Sequence, residues 1–335
     1  MDPRMPLRDV GEYARRVERL GYDGLHVAET VHDALAVSLL AAEHTSRIVI
    51  RTSVALAFVR SPLLTAYAAW DLAQFSGRRF ELGLGTQIRQ NIEDRYGMPW
   101  SEPVERMRDY LDSVDAAFRA FETGEAPHHD GPHYRLTRLQ PYFNPGPDDT
   151  TRAPAIWLGG VNAGVCQLAG ERAAGIVTHP TNSNPRYLET ICHPNLRIGM
   201  ARAGRETGDV PVVVGTPVIT GASDATLAGE RERQRRMFAF LYSTPAYRRT
   251  LELYGWEDLA GQLQTMVRAG AWDRLHAVVT DDVLSALVPT ALYEDLAPLL
   301  LERFGQLADG VLLTPPADPA DDDACADVIA VVQKG

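Results

Sequence analysis

The stretches Ile48-Val49-Ile50-Arg51-Thr52-Ser53-Val54-Ala55-Leu56-Ala57-Phe58, Pro62 to Phe75, and Phe80-Glu81-Leu82-Gly83-Leu84-Gly85 decide the fold. The first is an apolar, β-branched run, which is how a strand buried on both faces reads. The second opens on a proline, favoured in the first turn of a helix, and is closed by Gly77. The third alternates, with Phe80, Leu82 and Leu84 on one face and Glu81, Gly83 and Gly85 on the other. Together they predict a βαβ unit with parallel strands. In a closed parallel barrel, Gly83 and Gly85 on the inner face would lower the packing near the mouth and admit a ligand. The same glycines also suit close backbone packing at a strand end.

Working outward, strands and helices alternate along the whole chain. A helix is predicted from Leu7 to Leu20 with Gly21 as its stop, then a strand from Asp23 to Glu29 and a helix from Asp33 to His44. After Gly85 come a short helix near Arg89 to Tyr96 and a longer one from Val104 to Phe121. The segment Gly124 to Pro154, rich in Pro, Gly and Asp, is too long for an ordinary loop and reads as an inserted hairpin and cover. The alternation then resumes: Ala155–Leu158 strand, Asn162–Ala173 helix, Ile176–His179 strand, Pro185–Ala203 helix, Val210–Thr220 strand, Leu227–Tyr242 helix. A broken helical excursion from Ser243 to Pro289 precedes a helix at Leu292–Phe304, a strand at Gly310–Thr314 and a closing helix at Cys325–Val332. The acidic run Asp318 to Asp323 reads as a solvated connector.

This pattern predicts an α/β fold, a TIM (β/α)8 barrel in one domain spanning 1–335, with insertions at about 97–153 and 243–289 over the C-terminal mouth. A barrel should begin with a strand, yet only Met1 to Met5 precede the first helix. The expectation is a first strand that is missing or truncated: lost to a late start codon, poorly paired at the seam, or absent from an open barrel.

At 335 residues, 45% hydrophobic and 23% charged, the chain has the composition of a soluble protein with a sizeable core. No apolar run approaches a membrane span and the N-terminus is charged, so a cytoplasmic protein is expected. The net charge of −11 argues against nucleic acid or an anionic membrane as partner, because both require a basic surface. Cys166, Cys192 and Cys325 form no CxxC pair, so neither a disulfide framework nor a zinc site is expected. His128, His129 and His133 flank Asp130-Gly131, a hairpin turn signal that outweighs a metal reading.

Function in a barrel collects where strands end on the C-terminal face. The chain has no GxGxxG fingerprint opening a helix, no GxxxxGK(S/T) loop and no GxSxG elbow, which removes support for ordinary dinucleotide, ATP and serine-hydrolase readings. Gly159-Gly160-Val161-Asn162 lies where a strand meets a helix. Uncovered amides and the positive end of the helix dipole there would attract an anion such as a phosphate. A tight turn with Asn162 as N-cap explains the same residues equally well. Glu29 and His32 bracket another strand end, where a carboxylate and an imidazole could share proton transfer. A packing role for the histidine is the competing reading.

Several stretches taken together resemble the luciferase-like monooxygenase superfamily, and within it the branch that uses the deazaflavin coenzyme F420. They are Arg16-Val17-Glu18-Arg19-Leu20-Gly21-Tyr22-Asp23-Gly24-Leu25, Arg60-Ser61-Pro62, Ser76 through Thr86, Gly159-Gly160, and Leu168 through Gly175. The resemblance spans nearly the whole chain. It implies a TIM barrel, usually dimeric, whose mouth holds the tricyclic ring. It places a bulge with a cis non-prolyl peptide behind the ring at Ser53 to Val54, and the cofactor phosphate at Gly159, Gly160, Val161 and Asn162. Three departures stand out. Relatives that oxidise sugar phosphates carry an acidic residue followed directly by histidine after the second strand, whereas here Glu29 is followed by Thr30, with His32 further on. A glutamate those relatives use after the fourth strand is replaced by the Gln87 and Ile88 region. The first strand is not evident.

The expected function is therefore an F420-dependent oxidoreductase moving a hydride between the cofactor and a small organic substrate other than a sugar phosphate. Glu29, His32 and His179 are the candidates for proton handling; Ser53, Val54, Ala55 and Thr86 would back the ring; no metal is expected. The rivals are an FMN-dependent two-component monooxygenase served by a flavin reductase, and a barrel without catalysis acting as a binding or assembly subunit. A homodimer is the expected assembly.

Overall fold

The computed structural model describes residues 1–147, 151–160 and 162–335. These form two compact units, Met1–Gly159 with Arg172–Ala174, and Gly160–Glu171 with Gly175–Gly335.

The first unit carries helices α1 (Val10–Arg19), α2 (Ala34–Glu43), α3 (Pro62–Phe75) and α4 (Pro103–Thr123). Its strands are β1 (Gly24–Val27), β2 (Val49–Thr52), β3 (Ala55–Leu56), β4 (Phe80–Gly85) and the hairpin β5 (His129–Asp130) and β6 (Arg135–Leu136), with β7 (Ile156–Gly160) closing it through Gly159. No strand precedes β1 among the described residues. Strands β1, β2, β4 and β7 pair in that order, all parallel, and β3 also pairs with β4. The helices form where periodicity and caps require them: Val10, Ala14 and Val17 give α1 its buried stripe. Asp33 caps α2 by accepting from the amides of Leu35 at 2.8 Å and Ala36 at 3.1 Å. Glu18 of α1 holds the turn into β2, one carboxylate oxygen accepting from the amides of Ser46, Arg47 and Ile48 at 2.9, 2.7 and 3.2 Å.

The run Ile48 to Phe58 is not one strand. Pairing stops at Thr52, the Ser53–Val54 peptide bond is cis, β3 resumes for two residues, and a 3-10 turn follows at Ala57–Val59. Hydrophobicity alone does not register such a break, because every residue from Ala55 to Phe58 is buried on either side of it. A hairpin forms near Asp130-Gly131 as expected, but Asp130 is paired with Arg135 and the turn is at residues 131–134, pinned from α4. Asp109, 4% exposed, accepts from the amides of His133 at 2.6 Å and Tyr134 at 2.7 Å and pairs with His129 Nε2 at 2.8 Å.

The second unit contains helix α5 (Ala163–Arg172), strand β8 (Gly175–Thr178), a short helix α6 (Pro185–Tyr187) and α7 (His193–Arg202). Strand β9 (Val212–Val214) and helices α8 (Asp224–Tyr242), α9 (Arg249–Leu253), α10 (Glu257–Arg268) and α11 (Asp281–Leu287) follow. Helix α12 (Tyr293–Phe304), strand β10 (Gly310–Val311) and helix α13 (Asp322–Val332) complete it. Strands β8, β9 and β10 are parallel neighbours. The excursion after Ser243 is helical as expected and has its own core of Phe238, Tyr242, Leu251, Leu263, Leu284 and Val288. Three expectations shift. The apolar run Val210–Thr220 is a strand only at Val212–Val214, with Pro211 before it and Pro217 beyond it unable to donate to a ladder, and Ile219 further on makes an isolated parallel bridge to Thr290. The helix expected at Pro185–Ala203 is interrupted by a π turn at Leu188–Cys192. The acidic run is not a mere connector: Asp318 accepts from the amide of Ala320, and Asp322 and Asp323 form the first turn of α13, where carboxylates favour the helix dipole.

Among the described residues no helix is long and apolar enough to cross a membrane. Nor does any cluster of three or more His, Cys, Asp or Glu there have the makings of a metal site.

Candidate active site

In the first unit the C-terminal ends of β2, β4 and β7 converge on Val54. A Cβ added to Gly85 would lie 2.4 Å from Val54 Cγ2, and one on Gly159 would lie 2.7 Å from Val54 Cγ1. A Cβ on Gly83 would meet the Thr52 carbonyl oxygen at 1.8 Å. Close packing, the second of the two readings of Gly83 and Gly85, is thus what these glycines serve: they admit protein atoms. Thr52 completes the fit, its hydroxyl donating to the Gly83 carbonyl and accepting from the Gly83 amide, both at 2.8 Å. Ser53 and Val54 stay half-buried between buried neighbours, so the bulge keeps one open face. Ala55 beyond it is buried.

The bulge is tied on both sides. The Ser53 amide donates to the Val27 carbonyl at 2.6 Å and the Glu29 amide to the Val54 carbonyl at 3.4 Å. The Glu29 side chain returns to the same segment, accepting from the Leu56 amide at 2.6 Å. Both of its oxygens also accept from the Arg60 guanidinium, whose second amino group reaches Asp33 at 2.5 Å. Burial by itself would lower the Arg60 pKa, but the Glu29 and Asp33 carboxylates outweigh it and hold the guanidinium above its ordinary value. His32, half-buried, makes no hydrogen bond among the described residues. Thr86, half-buried, turns its hydroxyl to the Gln87 carbonyl at 3.1 Å. Gln87 sits in the left-handed region at φ 61, its side-chain oxygen accepting from the Ile88 amide at 3.0 Å and Asn91 Nδ2 at 3.1 Å.

A row of polar side chains in the same unit was not foreseen from the sequence. Register places His26, Arg51 and Glu81 directly across from one another on β1, β2 and β4. Arg51 donates from Nε to Glu81 at 2.6 Å and from Nη1 to His26 Nε2 at 3.0 Å, and its guanidinium lies 3.4 Å over the Trp157 ring. Because arginine can only donate, His26 Nε2 accepts and the ring proton resides on Nδ1. That Nδ1 and Trp157 Nε1 are both buried without a partner among the described residues. Burial first, then the Arg51 charge and the N-terminal ammonium, lower the His26 pKa to about 3, so the ring is neutral at pH 7. The available signal was the match of His26 and Arg51 with the glutamate of the alternating strand.

In the second unit Asn162 caps α5, its side-chain oxygen accepting from the Val165 amide at 3.0 Å. Gly160 packs against Val165 and Ile176. Val161, expected to bind the phosphate, lies outside the described residues. His179 follows β8 and stacks on Tyr247 with ring centroids 4.5 Å apart. His179 Nδ1 accepts from the Thr181 amide at 3.4 Å and lies 2.8 Å from the Thr181 hydroxyl, which itself donates to Asn182 Oδ1 at 2.7 Å. Burial lowers the His179 pKa to about 4. The loop beneath is held by Tyr242 and Thr250, which donate to the Thr181 carbonyl at 2.9 and 2.6 Å.

Parallel strands alternating with helices, and a bulge seated on strand-end glycines, define the class, and residues 1–297 match the family model of the luciferase-like monooxygenases. The chain belongs to that family. It is 37% identical over 306 residues to an uncharacterized protein of Mycobacterium tuberculosis, covering 91% of this chain and 89% of that one. It is 24% identical over 315 residues to the 5,10-methylenetetrahydromethanopterin reductase of Archaeoglobus fulgidus, covering 91% and 88%. Among solved structures, the coenzyme F420 dependent tetrahydromethanopterin reductase of Methanopyrus kandleri superposes with a TM-score of 0.82 at 19% identity, covering 99% of this chain and 96% of that one. The fold is that of these luciferase-like TIM barrels, as the sequence pattern predicts.

Proposed function

We propose that this chain is an oxidoreductase that moves a hydride between coenzyme F420 and a small organic substrate. The observation that carries the reading is the seat of Val54. Its methyl groups fill the spaces that side chains at Gly85 and Gly159 would occupy, so the strand ends offer a smooth apolar surface with an open face at Ser53 and Val54. A planar ring fits such a surface, and Ser53, Val54, Ala55 and Thr86 would back it. When bound, the deazaflavin supplies the carbon that gives or accepts the hydride.

The protein's own contribution is orientation and proton handling. His32 has a ring without a hydrogen bond among the described residues, which suits it to exchange a proton. In the second unit, His179 is a further candidate for proton handling, and the helix start behind Asn162 would take an anionic group. The reading is supported by the similarity of this chain to the coenzyme F420 dependent tetrahydromethanopterin reductase.

Titration of the purified protein with oxidised F420 and with FMN tests it. Saturable F420 binding and reversible anaerobic bleaching of the bound cofactor on addition of an oxidisable substrate are expected. Binding of FMN alone, with oxygen consumption by the reduced flavin, would replace this reading with that of a monooxygenase.

A further inference from the structure

We infer that Arg60 is a positioning residue for the ring-backing bulge, and that Glu29 acts as its counter-ion and anchor and not as a proton carrier. The inference rests on the bulge serving as the ring's backing, as proposed above.

Glu29 leaves β1 and points at the segment beyond the bulge. One of its oxygens takes the Leu56 amide and an Arg60 amino group, each at 2.6 Å, and the other takes the second Arg60 amino group. Its side chain is 9% exposed and that of Arg60 is 16% exposed. A carboxylate that is buried, bidentate to arginine and also bonded to a backbone amide has both of its oxygens already committed as acceptors. Accepting a proton would break a charge-assisted pair and turn one oxygen into a donor facing donors. Proton transfer at this strand end is therefore left to other groups.

Arg60 in turn is a junction of three elements. It holds Glu29 at the end of β1, Asp33 at the cap of α2 at 2.5 Å, and the Leu56 carbonyl at 3.4 Å. Asp33 reciprocates by capping α2 with its other oxygen. Of the two flanks of the bulge, one is fixed by the Ser53 amide on Val27 and the other by the Leu56 amide on Glu29. Removal of the guanidinium leaves the Glu29 carboxylate with no fixed orientation, so that the second flank keeps only the pairing of Ala55 and Leu56 with β4 and the Glu29 amide on the Val54 carbonyl. Tyr110 of α4, whose hydroxyl meets Thr65 Oγ1 at 2.6 Å, is a further titratable group that interacts electrostatically with Arg60 and Glu29.

The test uses the full chain with Arg60→Met, Arg60→Lys, Glu29→Gln and the double variant. Loss of a charge-assisted pair predicts that Arg60→Met weakens F420 binding about tenfold, read by fluorescence titration. Arg60→Lys, which keeps the charge but not the fork, should recover only part and shift the absorption band of the bound cofactor. Glu29→Gln should weaken binding in the same direction without changing the shape of the affinity profile between about pH 5 and pH 9, and the double variant should lose no more than the worse single one. Without any cofactor, hydrogen exchange of the peptide covering residues 53–57 should quicken in Arg60→Met while that of β1 is unchanged. Wild-type binding of F420 by both Arg60→Met and Glu29→Gln, or unchanged exchange at 53–57, would overturn the inference. If the wild-type chain binds neither F420 nor FMN, the cofactor reading falls, and the exchange experiment still decides whether Arg60 anchors the bulge.

Discussion

The guanidinium of Arg51 lies over the indole of Trp157, 3.4 Å from the ring centroid, while its Nε donates to Glu81 at 2.6 Å. The pair is largely withdrawn from water, with side-chain exposures of 11% and 24%. Removing one member of a buried pair leaves the other charge uncompensated, so Arg51→Met is expected to destabilise the protein by about 3 kcal/mol, the lower end of the usual range because Glu81 keeps some solvent. Replacing both members, Arg51→Met with Glu81→Leu, should restore most of that loss. Thermal and urea denaturation of the three variants checks the pattern.

Two histidines make the fold acid-sensitive in a defined window. His26 and His179 titrate near 3 and near 4 in the native chain, against roughly 6.5 when unfolded. Above pH 6.5 both states are neutral and the contribution to stability is whole. Below it the unfolded chain binds protons that the native chain refuses, so stability falls with acid and the loss is complete only when pH passes the native values. Each ring contributes a slope of up to about 1.4 kcal/mol per pH unit in that window. The melting temperature should therefore drop between about pH 6.5 and pH 4, and His26→Gln should flatten the descent. An unchanged slope in that variant would remove His26 from the account.

Which parts of this were legible in the sequence follows from what each signal measures. Alternation and periodicity report burial, so the strand and helix order, the start of the second helix near Asp33 and the presence of a hairpin near Asp130-Gly131 could all be read directly. The row of His26, Arg51 and Glu81 could not, because a charge facing a strand's inner side and one facing water give the same period-two pattern. The break at Ser53 was invisible for the opposite reason: apolar residues continue on both sides of it. The packing of Gly85 and Gly159 on a valine of the bulge beyond β2 is a long-range fact that no local spacing encodes. Only the family resemblance pointed at the Ser53–Val54 peptide.

Asp109 decides whether the inserted hairpin is anchored. It accepts from two backbone amides and from His129, all from a buried position on α4. Asp109→Ala leaves those donors without partners, and a loss of about 2 to 3 kcal/mol is expected, with hydrogen exchange quickening between residues 129 and 136. Added zinc should neither restore the variant nor raise the melting temperature of the wild-type chain.

Gly85 and Val54 provide the sharpest test of the proposed ring seat, because packing and function should move together there. Gly85→Ala places a methyl group 2.4 Å from Val54 Cγ2, a separation no relaxed side chain tolerates. Valine is confined to few rotamers, so the strain is relieved by displacing the bulge, at an expected cost of about 1 to 3 kcal/mol. The companion change Val54→Ala removes the clashing methyls and should return the double variant close to the stability of Val54→Ala alone, a coupling measurable by a double-mutant cycle. If the bulge backs the cofactor ring, F420 affinity must fall in Gly85→Ala and recover at least in part in the double variant. Gly83→Ala offers no such rescue, since its methyl would meet the Thr52 carbonyl itself at 1.8 Å and backbone cannot be trimmed. Stability that recovers in the double variant while F420 affinity stays at the wild-type level throughout would keep the packing and dismiss Val54 as the seat of the ring.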